Sequence, residues 1–170
     1  MTQQQPYEVI EKHADFELRH YPAGIQIETS VRGDFLRAGN MGFGPLVRFI
    51  SGYNRANKSI AMTAPVIQEP VGSNTHKIRF VLPEGMPLSS VPEAMDPTVK
   101  VLEVPDHLAA ARKFSGSWSE ERFEKESKAL VNALFTKNLE TVGSVYVSRF
   151  DPPWKPGFLK RNEVLIKVKR

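Results

Sequence analysis

Short segments in which apolar and polar residues alternate recur along the chain and predict β-strands. Between residues 24 and 32, Ile25, Ile27 and Val31 alternate with polar neighbours, which is typical of a strand buried on one face. Comparable short apolar segments predict further strands at 16–21, 62–68, 76–82, 99–104, 108–114, 145–150 and 163–169. This pattern indicates a protein built mainly from strands joined by turns.

Two longer segments have helical spacing instead. In residues 36–51, Phe43, Leu46, Val47 and Ile50 fall on one side of a helix, while the glycines and the proline of this segment predict an irregular first half. The second helix is predicted to begin at Ser119, because the two acidic residues that follow suit the positive end of a helix dipole.

An offset of 83 residues aligns the first half of the chain with the second. It pairs Pro22 with Pro105, Ile25 with Leu108, Ile27 with Ala110, Val31 with Phe114, Gly33 with Gly116 and Phe35 with Trp118. Each half has the element order ββαββ, and the half-repeats cover about 7–85 and 95–170. We therefore predict one α+β domain over 1–170 with a flexible segment at 1–6, in which the half-repeats form an eight-stranded, mainly antiparallel, distorted β-barrel flanked by two helices.

Composition narrows the functional classes. The chain has 170 residues, a net charge of +4 and no cysteine, which excludes disulfides and thiolate metal sites and agrees with a cytoplasmic protein. Basic residues do not interleave with aromatic ones along a stripe, so we expect no nucleic-acid partner. No apolar segment is long enough to predict a membrane span.

The residues that could support catalysis or metal binding are scattered. The four histidines, at 13, 20, 76 and 107, lack the spacing of a metal cluster, and no serine lies in a nucleophile elbow. Glu163, close to Arg161, is interpreted as a structural ion pair. We expect no enzyme, no catalytic residue and no metal site of protein ligands.

The loop 151–161 combines three prolines with aromatic and cationic side chains. Proline keeps this loop out of a β-ladder, so Trp154 and Phe158 are held beside Lys155 and Arg161 in a stiff segment. That combination favours a flat, amphipathic anion, with its ring system against apolar side chains and its carboxylates against cations. The same loop could equally be a rigid crossover whose aromatic residues cap the sheet.

Four segments of the chain, two longer and two shorter, resemble the motifs of a known family. Residues 57–66 (NKSIAMTAPV) and 150–156 (FDPPWKP) resemble the central and C-terminal motifs of SOUL haem-binding proteins in their bacterial form. Residues 16–22 and 114–116 resemble the opening strand and the end of a middle strand, so the similarity extends from about Tyr7 to Lys169. The resemblance implies a distorted β-barrel built from two ββαββ halves.

The resemblance also implies a ligand and a site. It implies a soluble protein that binds haem b or another tetrapyrrole reversibly, for haem buffering, transport or delivery, as a monomer that passes haem to a protein partner. The ring would lie between the first helix and the late loop, against Phe43, Leu46, Val47, Arg48, Trp154 and Lys155. Arg48 and Lys155 would face the propionates, and no strong axial ligand is expected. The alternative is a binding module for another small molecule or a protein partner, because each half also resembles ligand-binding domains of multidrug-responsive regulators.

Overall fold

The computed structural model describes residues 3–116, 119–151, 156 and 159–170. In this part of the chain two helices accompany eleven strands. The helices are α1 (Phe35–Ile50) and α2 (Glu120–Thr136). The strands are β1 (Gln3–Gln4), β2 (Glu8–Lys12), β3 (Glu17–Tyr21), β4 (Gly24–Arg32), β5 (Thr63–Ala64), β6 (Val66–Pro70), β7 (Thr75–Val81), β8 (Lys100–Val104), β9 (His107–Ser115), β10 (Glu140–Arg149) and β11 (Arg161–Lys169).

The predicted α+β class is confirmed, but the predicted closed barrel is wrong. Within the described residues, nine strands form one antiparallel sheet in the linear order β2-β3-β9-β11-β10-β6-β7-β4-β8. The two edges, β2 and β8, are not hydrogen-bonded to each other, so the sheet stays open. β2, which the sequence did not predict, is the ninth strand and extends the sheet beyond β3.

Two proline turns explain why the sheet resembles a barrel without closing. On one side of these turns Tyr21 pairs with His107, and on the other side Gly24 pairs with Val104. The pairs β3·β9 and β4·β8 therefore keep one register and form a single two-stranded ribbon. The interruption falls at Pro22 and Pro105, where a missing N–H breaks the ladder. Only two residues join β3 to β4, so these strands, which lie six places apart in the sheet, are at most about 11 Å apart at their linked ends. The sheet must therefore curl.

The two halves of the chain exchange their first strands. β3 of the first half pairs with β9 of the second, while β8 of the second half pairs with β4 of the first. The remaining strands of each half lie on either side of the central pair β10·β6. The halves are therefore related by a pseudo-twofold axis at that pair. The first strand of each half hydrogen-bonds to a strand of the other half and not to its own.

Helix α1 is continuous from Phe35 to Ile50, with Pro45 inside it, although its glycines and proline predicted an irregular first half. The Asp34 carboxylate caps it by accepting a hydrogen bond from the Arg37 amide at 2.8 Å. A Cβ on Gly42 would lie 2.3 Å from the Ile78 side chain, so this glycine lets the helix backbone press against β7. Here glycine serves close packing and does not break the helix.

Both helices cover the same face of the sheet. Under α1, a buried cluster includes Ile27, Leu46 and Ile78. Under α2, which Ser119 caps through the Arg122 amide, a second cluster includes Leu18, Leu130 and Val164. The alternate residues of the same strands point to the opposite face, where the polar groups described below collect.

The N-terminal segment crosses the opposite face. Gln3–Gln4 pairs in parallel with Thr63–Ala64, and the Gln5 amide donates to the Ala64 carbonyl at 2.8 Å. Tyr7 then stacks over the Arg19 guanidinium, 4.0 Å from its ring centre. Backbone hydrogen bonds therefore hold residues 3–5 beside β5, while the flexibility predicted for residues 1–6 stays a prediction.

Candidate functional site

One flank of α1 presents apolar side chains to solvent. Leu36, Phe43 and Val47 lie within about 40° of one another around the helix axis. Phe43 is 41% exposed and Leu36 46% exposed, and the Phe43 ring also makes an edge contact with Phe80 at 5.3 Å. An apolar stripe of this kind, supported from below by a core aromatic ring, can receive one face of a flat ligand.

The other two residues predicted on α1 lie elsewhere. Leu46 is fully buried beneath the helix and offers no surface to a ligand. Arg48 is exposed and lies about 140° around the axis from Phe43, on the side where its guanidinium is 3.9 Å from the Asp96 carboxylate. The structure therefore places Phe43 and Val47 on one side of α1, whereas Arg48 starts from a different side of the helix.

A partly buried cation reaches the same helix. A Cβ on Gly39 would be 2.8 Å from a guanidinium nitrogen of Arg149 and 2.7 Å from Gln68 Oε1, so both side chains press against the helix. Burial lowers the pKa of Arg149 to about 10, which leaves it charged at neutral pH. Sequence reasoning missed Arg149, although its alternation with the buried Val147 on β10 places it on the helix face.

The late loop begins and ends beside Arg149. The Phe150 amide donates to the Arg161 carbonyl at 3.3 Å, and the Asp151 carboxylate accepts from the Arg161 amide. These contacts close the base of the loop beside Arg149, whose side chain reaches Gly39 of α1. Trp154 and Lys155, which the sequence predicted as ligand contacts, lie outside the described residues.

The four histidines lie away from the α1 flank. His13 pairs with Glu11 at 3.0 Å and His20 with Asp106 at 3.2 Å, both near the β2–β3 edge. His76 is buried behind the start of α1, where it packs edge-on against Phe35, and His107 stacks on Tyr21 across the opposite face. Among the described residues, no group of three or more histidine, aspartate or glutamate side chains could hold a metal ion.

A cavity of about 310 Å³ opens on the sheet face away from the helices. The strands β4, β6, β7, β10 and β11 contribute to it, and Gln5 of the N-terminal segment forms part of its rim. Its lining includes Glu69 and Arg79 on one side and Lys167 with His107 on the other. This cavity could not be predicted from the sequence, because its lining residues are separated along the chain and meet only in the curled sheet.

A fully buried ion pair lies further along the same face. Arg19 donates two hydrogen bonds of 2.8 Å to the Glu163 carboxylate and a third of 3.0 Å to the Tyr21 hydroxyl. Burial alone would lower the pKa of Arg19, but the hydrogen bonds to Glu163 raise it overall, so the guanidinium stays charged. The expected structural role of Glu163 holds, but its main partner is Arg19, while Arg161 is 3.9 Å away.

Neither helix in the described part of the chain is long and apolar enough to cross a membrane.

Several solved structures share this fold over nearly the whole length of the chain. Among solved structures, the C-terminal domain of EcmrR is 14% identical at a TM-score of 0.66, covering 96% of this chain and 98% of that chain. A hydrolase from Listeria innocua is 9% identical at a TM-score of 0.62, covering 94% of each chain. The structure of SAV2435 bound to tetraphenylphosphonium is 7% identical at a TM-score of 0.51, covering 91% of this chain and 94% of that chain. At these identities the likeness concerns the fold alone.

By sequence, none of the curated proteins compared matches the chain. The family model described as SOUL heme-binding protein, however, matches residues 2–167. Since that match spans nearly all of the sequence, the chain belongs to the SOUL heme-binding protein family.

Proposed function

We propose that the chain binds haem or another tetrapyrrole reversibly, with the ring lying between the apolar flank of α1 and the loop 152–158. The observation that carries this proposal is the apolar stripe of Leu36, Phe43 and Val47, of which Leu36 and Phe43 are exposed and Val47 is half-buried. Arg149, at the base of that loop, reaches the same helix at Gly39. The family match supports a tetrapyrrole as the ligand. Trp154 would cover the second face of the ring.

The charges near this flank fit an anionic ring. Arg149 reaches the same helix, and the exposed Arg48 can extend its long side chain from the neighbouring side of the helix. Lys155 of the loop would supply a further cation to the propionates. Leu46 would support the helix from below and would not contact the ring.

Binding would depend on apolar contact and charge and not on a strong protein ligand to iron. None of the four histidines lies on the α1 flank. Reversible binding of this kind suits haem buffering, transport or delivery, and delivery would require a protein acceptor.

A haemin titration followed by the Soret absorbance tests the site. We expect Phe43→Ser to weaken binding about tenfold or more, because it removes the central apolar contact. Phe135→Ser on α2, where the phenylalanine is 84% exposed, is the matched control and should bind as the unmodified protein does. Equal affinities of the two variants would place the ring elsewhere.

A second pair of variants tests the cations. Arg48→Ala and Lys155→Ala should each weaken haemin binding, whereas Arg55→Ala should not, although Arg55 is likewise an exposed arginine beside a surface carboxylate. Replacing each histidine in turn should leave the Soret spectrum unchanged. A histidine variant with an altered spectrum would show that iron ligation contributes after all.

The alternative remains a binding module for a small molecule or a protein partner, without haem as the physiological ligand. The fold likeness to the EcmrR C-terminal domain and to a protein bound to tetraphenylphosphonium favours this alternative. It predicts no saturable Soret change and direct binding of an apolar cation such as tetraphenylphosphonium.

A further inference from the structure

The cavity on the sheet face away from the helices has two walls of opposite charge. It holds about 310 Å³, which is at the lower end of the range for small-molecule sites. It lies across the sheet from Phe43 and the other residues of the proposed tetrapyrrole site. A ligand in this cavity would therefore bind independently of a ring on α1.

One wall carries Glu69 beside a guanidinium that two carboxylates share. Arg79 donates from Nε to Glu28 Oε2 and from a terminal nitrogen to Glu69 Oε1, both at 2.8 Å. Two carboxylates therefore share one guanidinium. Lys77 is the register partner of Glu69 on β7 and Lys100 that of Glu28 on β8, but among the described residues neither lysine forms an ion pair with these carboxylates. Glu69 is the member of this group with a carboxylate that lines the cavity beside Arg79.

The opposite wall carries a cation without a counter-ion. Lys167 is half-buried, and in the described part of the chain no carboxylate forms an ion pair with it. His107 lies beside it, and burial first, then the nearby Lys167 ammonium, keep the pKa of His107 below its ordinary value. At neutral pH this imidazole is uncharged, and its Nδ1 bonds the Pro105 carbonyl at 2.9 Å. The positive charge of this wall is therefore that of Lys167.

The cavity also offers apolar surface, beside a polar lining from Gln5, Gln26 and Ser144. Tyr146, Ile67 and Leu102 contribute ring and aliphatic surface to it. Lys167 lies on β11 and Glu69 on β6, two strand spacings apart across β10, which corresponds to about 10 Å between the strands. The opposite charges thus lie on strands about 10 Å apart, with Tyr146 on the strand between them.

We propose that this cavity binds a small zwitterion whose ammonium and carboxylate lie at opposite ends of an apolar or aromatic body. The carboxylate pairs with Lys167, the ammonium pairs with Glu69, and the body lies on Tyr146. A ligand with only one charge would leave one wall uncompensated in a partly desolvated site, where such a group is costly.

Three probes that share one aromatic ring test this assignment. These are 4-(aminomethyl)benzoate, with both charges, benzylamine, with the cation alone, and benzoate, with the anion alone. Calorimetry on the full chain should show that 4-(aminomethyl)benzoate binds about tenfold tighter than benzylamine or benzoate. Chemical shifts of the Tyr146 ring should move with the same saturation curve.

Two variants assign the ends of the ligand. Lys167→Met keeps the aliphatic stem and should reduce the affinity for the zwitterion to that for benzylamine, whereas Glu69→Gln should reduce it to that for benzoate. Lys169→Met, two residues further along β11 at an exposed position, is the matched control and should leave all three affinities unchanged. Thermal unfolding of each variant shows whether it is folded.

Other results would overturn the assignment. Equal binding of benzylamine and the zwitterion, or tighter binding of tetraphenylphosphonium, would indicate a site for cations. Absence of any binding would refute the site altogether. The haemin titration is unaffected by these variants if both proposals hold, so failure of one can be distinguished from failure of the other.

Discussion

At the scale of single residues, the most constrained interaction is the buried pair of Arg19 and Glu163. The two residues are 144 positions apart in the chain and join β3 to β11 through the intervening β9. Sequence reasoning paired Glu163 with its near neighbour Arg161, since only short separations are visible in a sequence. Burial of both charges, at 0% and 1% side-chain exposure, is what makes the pair important to stability.

Removing the negative charge of this pair should destabilise the fold. Glu163→Gln leaves the Arg19 guanidinium buried with Glu17 as its remaining carboxylate partner, so we expect a loss of about 3 kcal/mol in the free energy of unfolding. Urea denaturation followed by circular dichroism measures this loss. Glu103→Gln, on the exposed side of β8, should change stability by less than about 0.5 kcal/mol. Similar values for the two variants would show that the pair contributes little.

At the scale of elements, helix α1 is shaped by its glycines in two different ways. Gly42 and Gly39 face the sheet, where the side chains of Ile78 and Arg149 occupy the space of a Cβ. Gly44 faces outward, and a Cβ there would meet only the tip of Arg48 at 3.4 Å. The same residue type therefore has a packing role at two positions and none at the third.

Alanine substitutions should separate these roles. Gly44→Ala should stabilise the protein by up to about 1 kcal/mol, because alanine is the better helix former. Gly42→Ala should destabilise it by about 1–2 kcal/mol, because the clash with Ile78 outweighs the same gain in helix propensity. Both changes are read from thermal and urea unfolding. Stabilisation by both substitutions would mean that α1 does not approach β7 this closely.

At the scale of the whole molecule, the exchange of first strands makes the two halves interdependent. β3 depends on β9 for its inner ladder, and β8 depends on β4. A half-repeat by itself would leave a long edge without a partner and would expose apolar surface. The internal repeat in the sequence therefore does not correspond to two units that could fold separately.

Separately produced halves should test this interdependence. We expect fragments 1–90 and 91–170 to aggregate or remain largely unfolded alone, and to regain the far-ultraviolet spectrum of the full chain when refolded together. The cut falls after the short helical turn Leu88–Ser90, outside every strand. A monomeric fragment with well-dispersed amide resonances would show that one half is sufficient.

Much of the local structure was accessible from the sequence. Alternation of apolar residues gave the strands, capping residues such as Ser119 gave the start of α2, and the motifs around 57–66 and 150–156 indicated the family that the whole-chain match confirms. These signals are local, because they depend on residues a few positions apart. The position of the apolar stripe on α1 also follows from helical spacing, which is why Phe43 and Val47 could be predicted to share one side of the helix.

What only the tertiary structure decided depends on contacts between distant segments. The proline turns at 22 and 105 could be seen in the sequence, but whether they close the sheet or leave it open depends on edges that pair or do not pair. The burial of Arg149, the partner of Glu163 and the cavity between Lys167 and Glu69 each require strands that come together from different halves. The sequence by itself thus determined the elements and the family. The curl of the open sheet decided which charged side chains are buried and which face each other. The reason is that these contacts depend on strand order and not on spacing along the chain.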